Sequence, residues 1–284
     1  MKCKICFLIA SLIVLLTTSC NGNKSTFHYK EYGLNCSVKS VKVTTYKAES
    51  KFGEIVNGYL EENGNYLAVF NDVGNLKSIT YYDEDGDLSG MDKYKYNEEN
   101  KVIEFSSYEK DGTLNINITY TYNNNQIESF ICKGYWNSEE EIDEYKHKRD
   151  GERLVEVTIT TNGELSSVTK YNNYSGQGEE WVTYNKDGKE ISRGREVYDD
   201  KGRIVSRNKD ELHSEVQWND NNLPTFLKNA FLHNNTNIVW YANGDEHIYY
   251  VEYEYDKKGN WIKQIVYKGD TKKPLTISER IITY

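Results

Sequence analysis

The chain has 284 residues and a formal net charge of −9 at pH 7, and hydrophobic residues make up 37% of it even when 25 tyrosines are counted. This composition argues against the thick, two-sided aliphatic core of a doubly wound α/β protein, because typical domains are roughly 45–50% apolar. Two prolines exclude collagen, and an aromatic content of 13% is high for a disordered chain.

The first twenty residues have the three-part pattern of a bacterial export signal. Lys2 and Lys4 precede an apolar run at 5–16, and small residues precede Cys20. The run is shorter than the roughly 20 residues that a membrane span needs. Residues 1–19 are similar to a lipoprotein signal peptide, in which the following cysteine is lipidated. An ordinary secretory signal or an uncleaved anchor remains the alternative.

A lipid on Cys20 has consequences for location and partners. Two acyl chains are enough for stable membrane attachment. Removal of the signal also removes two lysines, so the exported part is more acidic than the whole chain, and we expect no nucleic-acid partner. Residues 20–30 are predicted to be a tether. They lack the acidic run that follows the cysteine in many surface-exported lipoproteins of Bacteroidetes, and this likeness favours the periplasmic side of the outer membrane.

Two cysteines remain in the exported part. Cys36 and Cys132 could pair in an oxidising envelope, but their spacing does not place their Cα atoms within the roughly 7 Å that a disulfide requires. A disulfide and two buried thiols both stay open.

The strongest pattern in the exported part is an internal repeat, in which an aromatic residue is followed after four positions by Gly or Asn and after six by an aliphatic residue. The leading aromatics stand at positions 70, 82, 96, 108 and 122, in alternating steps of 12 and 14. Further copies begin at Tyr184, Tyr198 and Tyr255, with a degenerate one at Trp218. Glycine provides the positive φ of a hairpin turn, and the flanking runs alternate as strands do. Residues 31–284 are therefore predicted to form an all-β domain, an extended or curled antiparallel meander of repeated hairpins.

One segment interrupts the repeat, an irregular insertion at about 219–247. Pro224 is followed by apolar residues at helical spacing, namely Phe226, Leu227, Ala230 and Phe231. Because proline is common in the first turn of a helix, the spacing predicts a short helix near 224–233, or else a loop lying on the sheet. A lid over a ligand is the functional alternative.

Three copies of the repeat keep the stricter core Tyr-Asp-x-x-Gly, at Tyr82, Tyr198 and Tyr255. They resemble the YD repeats of the Rhs and teneurin families. Together with the signal, they are similar to small YD-repeat lipoproteins of gut Bacteroidetes. The resemblance implies a hairpin-repeat architecture and no specific function. Large Rhs proteins build a closed shell around a toxin from such repeats, but this chain has too few copies to enclose a folded domain.

The sequence lacks the common motifs of catalysis and metal binding. It has no His-Glu-x-x-His, paired Cys-x-x-Cys, Walker loop, Gly-x-Gly-x-x-Gly or Gly-x-Ser-x-Gly. The acidic stretch 83–87 does not match a calcium loop, because Gly86 is its fourth residue and not its sixth. We therefore expect no metal, no cofactor and no enzymatic activity. Glycoside hydrolysis, which needs only two opposed carboxylates, remains the less favoured possibility, with acids near Pro224.

The aromatic residues allow two interpretations. They can pair across strands and replace a missing aliphatic core, or they can form flat platforms for a ligand. The candidate binding residues are Trp136, Trp181 and Trp261. We predict a non-enzymatic, lipid-anchored envelope protein whose repeat sheet serves protein interaction or envelope organisation. The alternative is a glycan-binding lipoprotein that uses Trp and Tyr on one sheet face.

Overall fold

The computed structural model describes residues 34, 37–136, 139–174, 178–210, 212–233, 237–240, 247–269 and 273–284. Throughout these ranges the regular elements are strands and none is a helix, which confirms the predicted all-β class. Accordingly, the described part of the chain has no helix with the length and apolarity that crossing a membrane requires. The predicted signal peptide at 1–19, Cys20, the tether at 20–30 and Cys36 lie outside the described residues.

The strands follow one another with mostly short connections. In chain order they are β1 (Ser40–Lys51), β2 (Glu54–Leu60), β3 (Asn65–Phe70), β4 (Leu76–Tyr82), β5 (Leu88–Tyr96), β6 (Val102–Glu109), β7 (Leu114–Asn123), β8 (Gln126–Trp136), β9 (Glu139–Asp150), β10 (Arg153–Thr161), β11 (Glu164–Tyr174), β12 (Gly178–Asn185), β13 (Glu190–Tyr198), β14 (Ile204–Lys209), β15 (Leu212–Trp218), β16 (Pro224–Lys228), β17 (Ala230–His233), β18 (Asn237–Trp240), β19 (Ile248–Tyr255), β20 (Trp261–Lys268) and β21 (Lys273–Thr283). Cys132 is buried in β8, but the predicted alternatives for its pairing also involve the undescribed Cys36.

The strands belong to two compact units. The terminal unit comprises residues 34–101, 107–113 and 214–284, and the central unit comprises residues 102–106 and 114–213. In the central unit, β7 to β13 each pair antiparallel with the next strand in the chain. This unit has the consecutive hairpins that the sequence predicted.

The terminal unit has a strand order that departs from the chain order. β15, β16, β19, β20 and β21 pair in succession, β21 pairs with β1, and β1 pairs with β3, which continues to β4 and β5. The first and last strands thus lie side by side, from Ser40 opposite Thr283 to Lys47 opposite Thr276. An extended, open meander does not bring its first and last strands together, so this form of the predicted fold is wrong. Pairing between such distant strands depends on long-range burial, which local turn signals do not report.

β2 and β3 both lie along the same edge of β1 and are separated by the segment 61–64. Asn65 joins this segment to β1. The Thr45 N–H donates to Asn65 Oδ1 at 2.7 Å, and Asn65 Nδ2 donates to the Glu61 carbonyl at 2.6 Å. The Thr45 hydroxyl also donates to the Gly64 carbonyl at 2.9 Å. The interruption is therefore a hydrogen-bonded insertion between two strands that pair with the same edge of β1.

Among the described residues, the core of the terminal unit includes two apolar clusters. The larger includes Leu34, Val41 and Tyr66, which are almost completely buried. The smaller surrounds Leu227 and Tyr249 and packs against apolar side chains of β17 and β18. Tyrosine rings are members of both clusters, so they supply part of the core that the low aliphatic content leaves thin.

The turns of the repeat depend on the residue after the leading aromatic. At the first copy, Asn71 Oδ1 accepts hydrogen bonds from the N–H groups of Val73 at 3.2 Å and Asn75 at 2.9 Å. The N–H of Gly74 donates to the Asn71 carbonyl at 2.9 Å. The same arrangement recurs at Asp83, Asn97, Asn185, Asp199, Asn219 and Asp256. In these seven copies the Asn or Asp thus fixes the turn, a role that the sequence analysis did not assign, whereas the copy at Tyr108 has Glu109 at this position.

The short helix expected near 224–233 is not present. Pro224–Lys228 is strand β16, which pairs with β15 and β19, and Ala230–His233 is strand β17, which pairs with β18. Asn229 separates them with a φ of 51°, and it exchanges hydrogen bonds with His247. The helix predicted from the apolar spacing was wrong, because Asn229, in the left-handed conformation, divides the apolar run into two short strands.

Candidate functional site

The tryptophans predicted as binding residues lie in different surroundings. Trp261 begins β20 in the terminal unit and is 0% exposed, and Trp181 lies in β12 of the central unit and is 9% exposed. Trp136 ends β8, and its side chain lies outside the described part. A sugar ring stacks on an accessible aromatic face. Neither Trp181 nor Trp261 therefore offers the exposed platform that the glycan-binding alternative requires.

Trp261 is packed inside the terminal unit beneath an arginine. The guanidinium carbon of Arg280 lies 3.4 Å from the centroid of the indole ring, and the Tyr253 ring lies at a centroid distance of 6.0 Å. Arg280 is buried and faces Tyr66, whose pKa is raised by burial and partly lowered by the arginine charge. These contacts make Trp261 a core residue.

Trp181 covers a glycine in the neighbouring strand. Its register partners are Tyr171 on β11 and Gly194 on β13. A Cβ atom added at Gly194 would lie 2.3 Å from Trp181 Cζ2, so the indole occupies the space that any other side chain would need. The guanidinium carbon of Arg207 lies 5.9 Å from the centroid of the ring. Trp181 therefore packs against the sheet beside a charged group.

Charged side chains lie next to one another across β12, β13 and β14. Glu179 is the register partner of Glu196, and Glu196 is the register partner of Arg207. Directly opposed residues project to the same face, with Cβ atoms about 4.5–5.5 Å apart. We name this group the Glu179 cluster, which consists of Tyr171, Glu179, Trp181, Glu196, Tyr198 and Arg207.

Glu196 is held by two neighbours in the cluster. Arg207 Nε lies 3.4 Å from Glu196 Oε1, and the Tyr198 hydroxyl donates to Oε2 at 2.9 Å. Both charged side chains are largely buried, so water and salt screen this ion pair less than a surface pair. The negative charge of Glu196 therefore has a partner within the protein.

Glu179 differs from its neighbour. Among the described residues it forms neither a hydrogen bond nor an ion pair. Burial and, second, the charge of Glu196 raise the pKa of Glu179 to about 7, and the charge of Arg153 opposes this shift. The Glu179 carboxyl therefore exchanges a proton near neutral pH.

The two tyrosines of the cluster remain neutral. Burial is the main cause that raises the pKa of Tyr171 and of Tyr198, and the charges of Glu179 and Glu196 add to it. The cluster thus combines neutral phenols, one ion pair and one carboxyl without a paired cation. It is suited to receive a basic group. No set of three or more His, Cys, Asp or Glu side chains in the described ranges is arranged to hold a metal ion.

Sequence reasoning did not find the Glu179 cluster. The repeat copy at Tyr184 marks the turn between β12 and β13, and counting outwards from that turn could have paired the two strands. The copy is one residue longer than the others, and the register shifts between Thr183 and Tyr184. Counting residues outwards from the turn without this shift pairs Glu179 with the wrong residue of β13. The sequence therefore does not predict that Glu179 and Glu196 lie opposite each other.

Comparison with known proteins finds similarity to solved structures. No protein-family model matches the chain, and no curated protein matches it significantly. One similar structure is a porin-like protein from Bacteroides uniformis, with 10% identity and a TM-score of 0.39 over 91% of this chain and 100% of that chain. Another is a porin-like protein from Bacteroides vulgatus, with 9% identity and a TM-score of 0.38 over 86% of this chain and 98% of that chain. TM-scores of this size do not establish a shared fold, so "porin-like" describes those two proteins only.

Proposed function

We propose that the chain is an exported, non-enzymatic protein of the bacterial cell envelope. A lipid on Cys20 would hold it at the outer membrane, facing the periplasm, where it would bind a protein partner or contribute to envelope organisation. The charged, apolar and small-residue pattern of residues 1–20 supports export and lipidation. The likeness of the hairpins to YD repeats is part of the proposal and concerns architecture alone.

The observation that carries the binding function is the unpaired carboxyl of Glu179. A half-buried carboxylate beside a second one is unfavourable unless a cation compensates it. Arg207 already pairs with Glu196, and Arg153, whose charge acts on Glu179, pairs with Asp150, so the missing charge is best supplied from outside. A lysine or arginine of a partner would remove the repulsion between Glu179 and Glu196, and Tyr171 would contribute contact area.

Lipid attachment is tested by metabolic labelling with an alkyne analogue of palmitate. The wild type is expected to take up label and to sediment with membranes, and Cys20→Ser is expected to lose both properties. Cys132→Ser is the matched control and should keep the label. Label on Cys20→Ser, or none on the wild type, would contradict the anchor.

Partner binding is tested by photo-crosslinking in intact cells. p-Benzoylphenylalanine replaces either Tyr171, in the Glu179 cluster, or Tyr184, which lies on the opposite face of the sheet. We expect a discrete adduct from position 171 and none from position 184. Glu179→Gln should reduce the adduct about tenfold, the effect of losing one charge pair of about 1.4 kcal/mol, and Glu180→Gln should not. Equal adducts from both faces would contradict a specific site.

One observation favours a second candidate, a glycoside hydrolase. Glu179 and Glu196 are directly opposed, and Glu179 is the one described with a pKa raised to about 7, as expected of a general acid beside an ionised nucleophile. Chromogenic aryl glycosides test this candidate. Turnover by the wild type that is lost in both Glu179→Gln and Glu196→Gln would establish it, and a wild type without turnover would reject it.

A further inference from the structure

The turn between β1 and β2 presents a phenylalanine to solvent. Lys51 pairs with Glu54, which leaves Phe52 and Gly53 as a two-residue turn. The Phe52 side chain is fully exposed, and Tyr59 on β2 is 66% exposed. The Phe52 ring thus adds nothing to the core of the terminal unit.

The backbone at this turn is also unfavourable for phenylalanine. Phe52 has a φ of 54° and Gly53 a φ of 85°. A hairpin turn with positive φ at both positions favours Asn-Gly, and the turn of Asn162 and Gly163 between β10 and β11 has this sequence with nearly the same angles. The other non-glycine residues described with positive φ are Asn or Asp. Phe52 therefore combines backbone strain with an exposed apolar surface, and such strain is retained mainly where function needs it.

We propose that the β1–β2 hairpin inserts Phe52 into the interfacial region of a lipid bilayer. An aromatic ring at the apex of a hairpin can enter the boundary between headgroups and acyl chains. The ammonium group of Lys51 lies 2.9 Å from the Glu49 carboxylate, so the described residues of the apex include no uncompensated cation that could bind anionic lipid. Insertion would therefore depend on the Phe52 side chain, and zwitterionic lipid would suffice.

The surroundings of Phe52 favour lipid over a protein partner. Residues that dominate protein interfaces fill pockets and are surrounded by contacts that exclude water. Phe52 instead lies between the exposed residues Lys51 and Glu54, which a protein interface would have to desolvate and which a membrane surface leaves in water. The tether is also long enough. From Cys20 to the buried Leu34, a chain of about 3.3–3.6 Å per residue could span up to about 50 Å, which exceeds the roughly 40 Å length of β1. This last point rests on the proposed lipid anchor.

The test places a fluorescent reporter at the apex. The unprocessed full chain with Phe52→Trp is attached to phosphatidylcholine vesicles through its own apolar segment 5–16, and the emission of the wild-type tryptophans is subtracted. Val73→Trp, at another exposed turn of the terminal unit, is the matched control. We expect a blue shift and at least twofold stronger quenching by brominated lipid at position 52 than at position 73. Quenching at position 52 that is no stronger than at position 73 would overturn the proposal.

Two further measurements separate insertion from other roles of Phe52. Phe52→Asn creates the favoured Asn-Gly turn and should leave the thermal midpoint unchanged or higher, so a lower midpoint would show a structural role and overturn the proposal. Without vesicles, the indole introduced by Phe52→Trp should be fully accessible to acrylamide, and protection would indicate self-association instead. The vesicles contain no other protein and no processing enzyme. Failure of lipidation or of partner binding in cells is therefore distinguishable from failure of insertion.

Discussion

The two units each contain a tryptophan beside an arginine, and the two pairs differ in what surrounds them. In the terminal unit, Arg280 lies over Trp261, and both side chains are buried among core residues. In the central unit, Arg207 lies farther from Trp181 and forms an ion pair with Glu196, next to the unpaired Glu179. In the terminal unit the tryptophan and the arginine are therefore part of the core, whereas in the central unit they lie beside a carboxyl with a raised pKa. The residues of the neighbouring strands determine which of these two roles the tryptophan and the arginine have.

The largest expected effect is the loss of the buried tryptophan. Trp261→Ala removes a completely buried ring and should lower the free energy of unfolding by about 3–5 kcal/mol, whereas Trp181→Ala should cost about 1–3 kcal/mol because its ring lies at the edge of a half-buried cluster. Urea denaturation measures both variants. Equal costs would show that Trp181 is as much a core residue as Trp261, and the contrast between the pairs would be lost.

Because Trp181 packs on Gly194, we expect a side chain added at position 194 to cause a loss of stability of intermediate size. Gly194→Ala places a methyl group 2.3 Å from the indole and should cost about 1–3 kcal/mol of unfolding free energy. In the double variant with Trp181→Ala the clash is absent, so the combined cost should be smaller than the sum of the single costs. Additive costs in urea denaturation would contradict this contact.

The smallest expected effect is the contribution of Glu179 to the pH dependence of stability. The pKa of Glu179 is about 7 in the folded protein and 4.5 for an ordinary glutamate. Between these values the folded Glu179 binds more protons than the unfolded one. Its contribution to the free energy of unfolding should therefore fall as pH rises from about 4.5 to about 7, by on the order of 1 kcal/mol after solvent screening. His147, whose pKa burial lowers from 6.5 to about 4, contributes the opposite trend between these two values, so the effect of Glu179 is measured as a difference from the wild type.

Substitution identifies the group responsible for this slope. Glu179→Gln should lack this contribution, since a glutamine does not titrate, so its stability relative to the wild type should rise between pH 4.5 and 7. Glu180→Gln, on the opposite face of β12, should keep it. Thermal midpoints measured across this pH range provide the comparison, and an unchanged slope in Glu179→Gln would assign the titration to another residue.

The local features of the fold could be predicted from the sequence because each depends on a few consecutive residues. The glycines at the corners and the alternation of the strands identified the hairpins, for example the turn between Tyr198 and Ile204. The Asn or Asp that fixes most of these turns is also visible in the sequence, as Asp199 shows, but its role was not predicted. The helix near 224–233 failed for a local reason as well, since the left-handed conformation of Asn229 is compatible with its sequence but is not signalled by it.

The candidate site could not be predicted, because it depends on register. Residue type alone indicates Trp181 and Trp261 as candidate binding residues. Their burial depends on which strands lie beside them. Glu179 and Glu196 are 17 positions apart and meet only through the shifted pairing of β12 and β13. A one-residue change in that register would move Glu196 to the other face of the sheet.

The sequence by itself determined an all-β chain of hairpins with glycine-bearing, Asx-stabilised turns, because turn chemistry and alternation act over a few residues. The tertiary structure alone decided that β1 lies beside β21, that Trp181 and Trp261 are buried, and that Glu179 lies opposite Glu196. These outcomes depend on how buried faces fit together across long stretches of chain, and no local pattern contains that information.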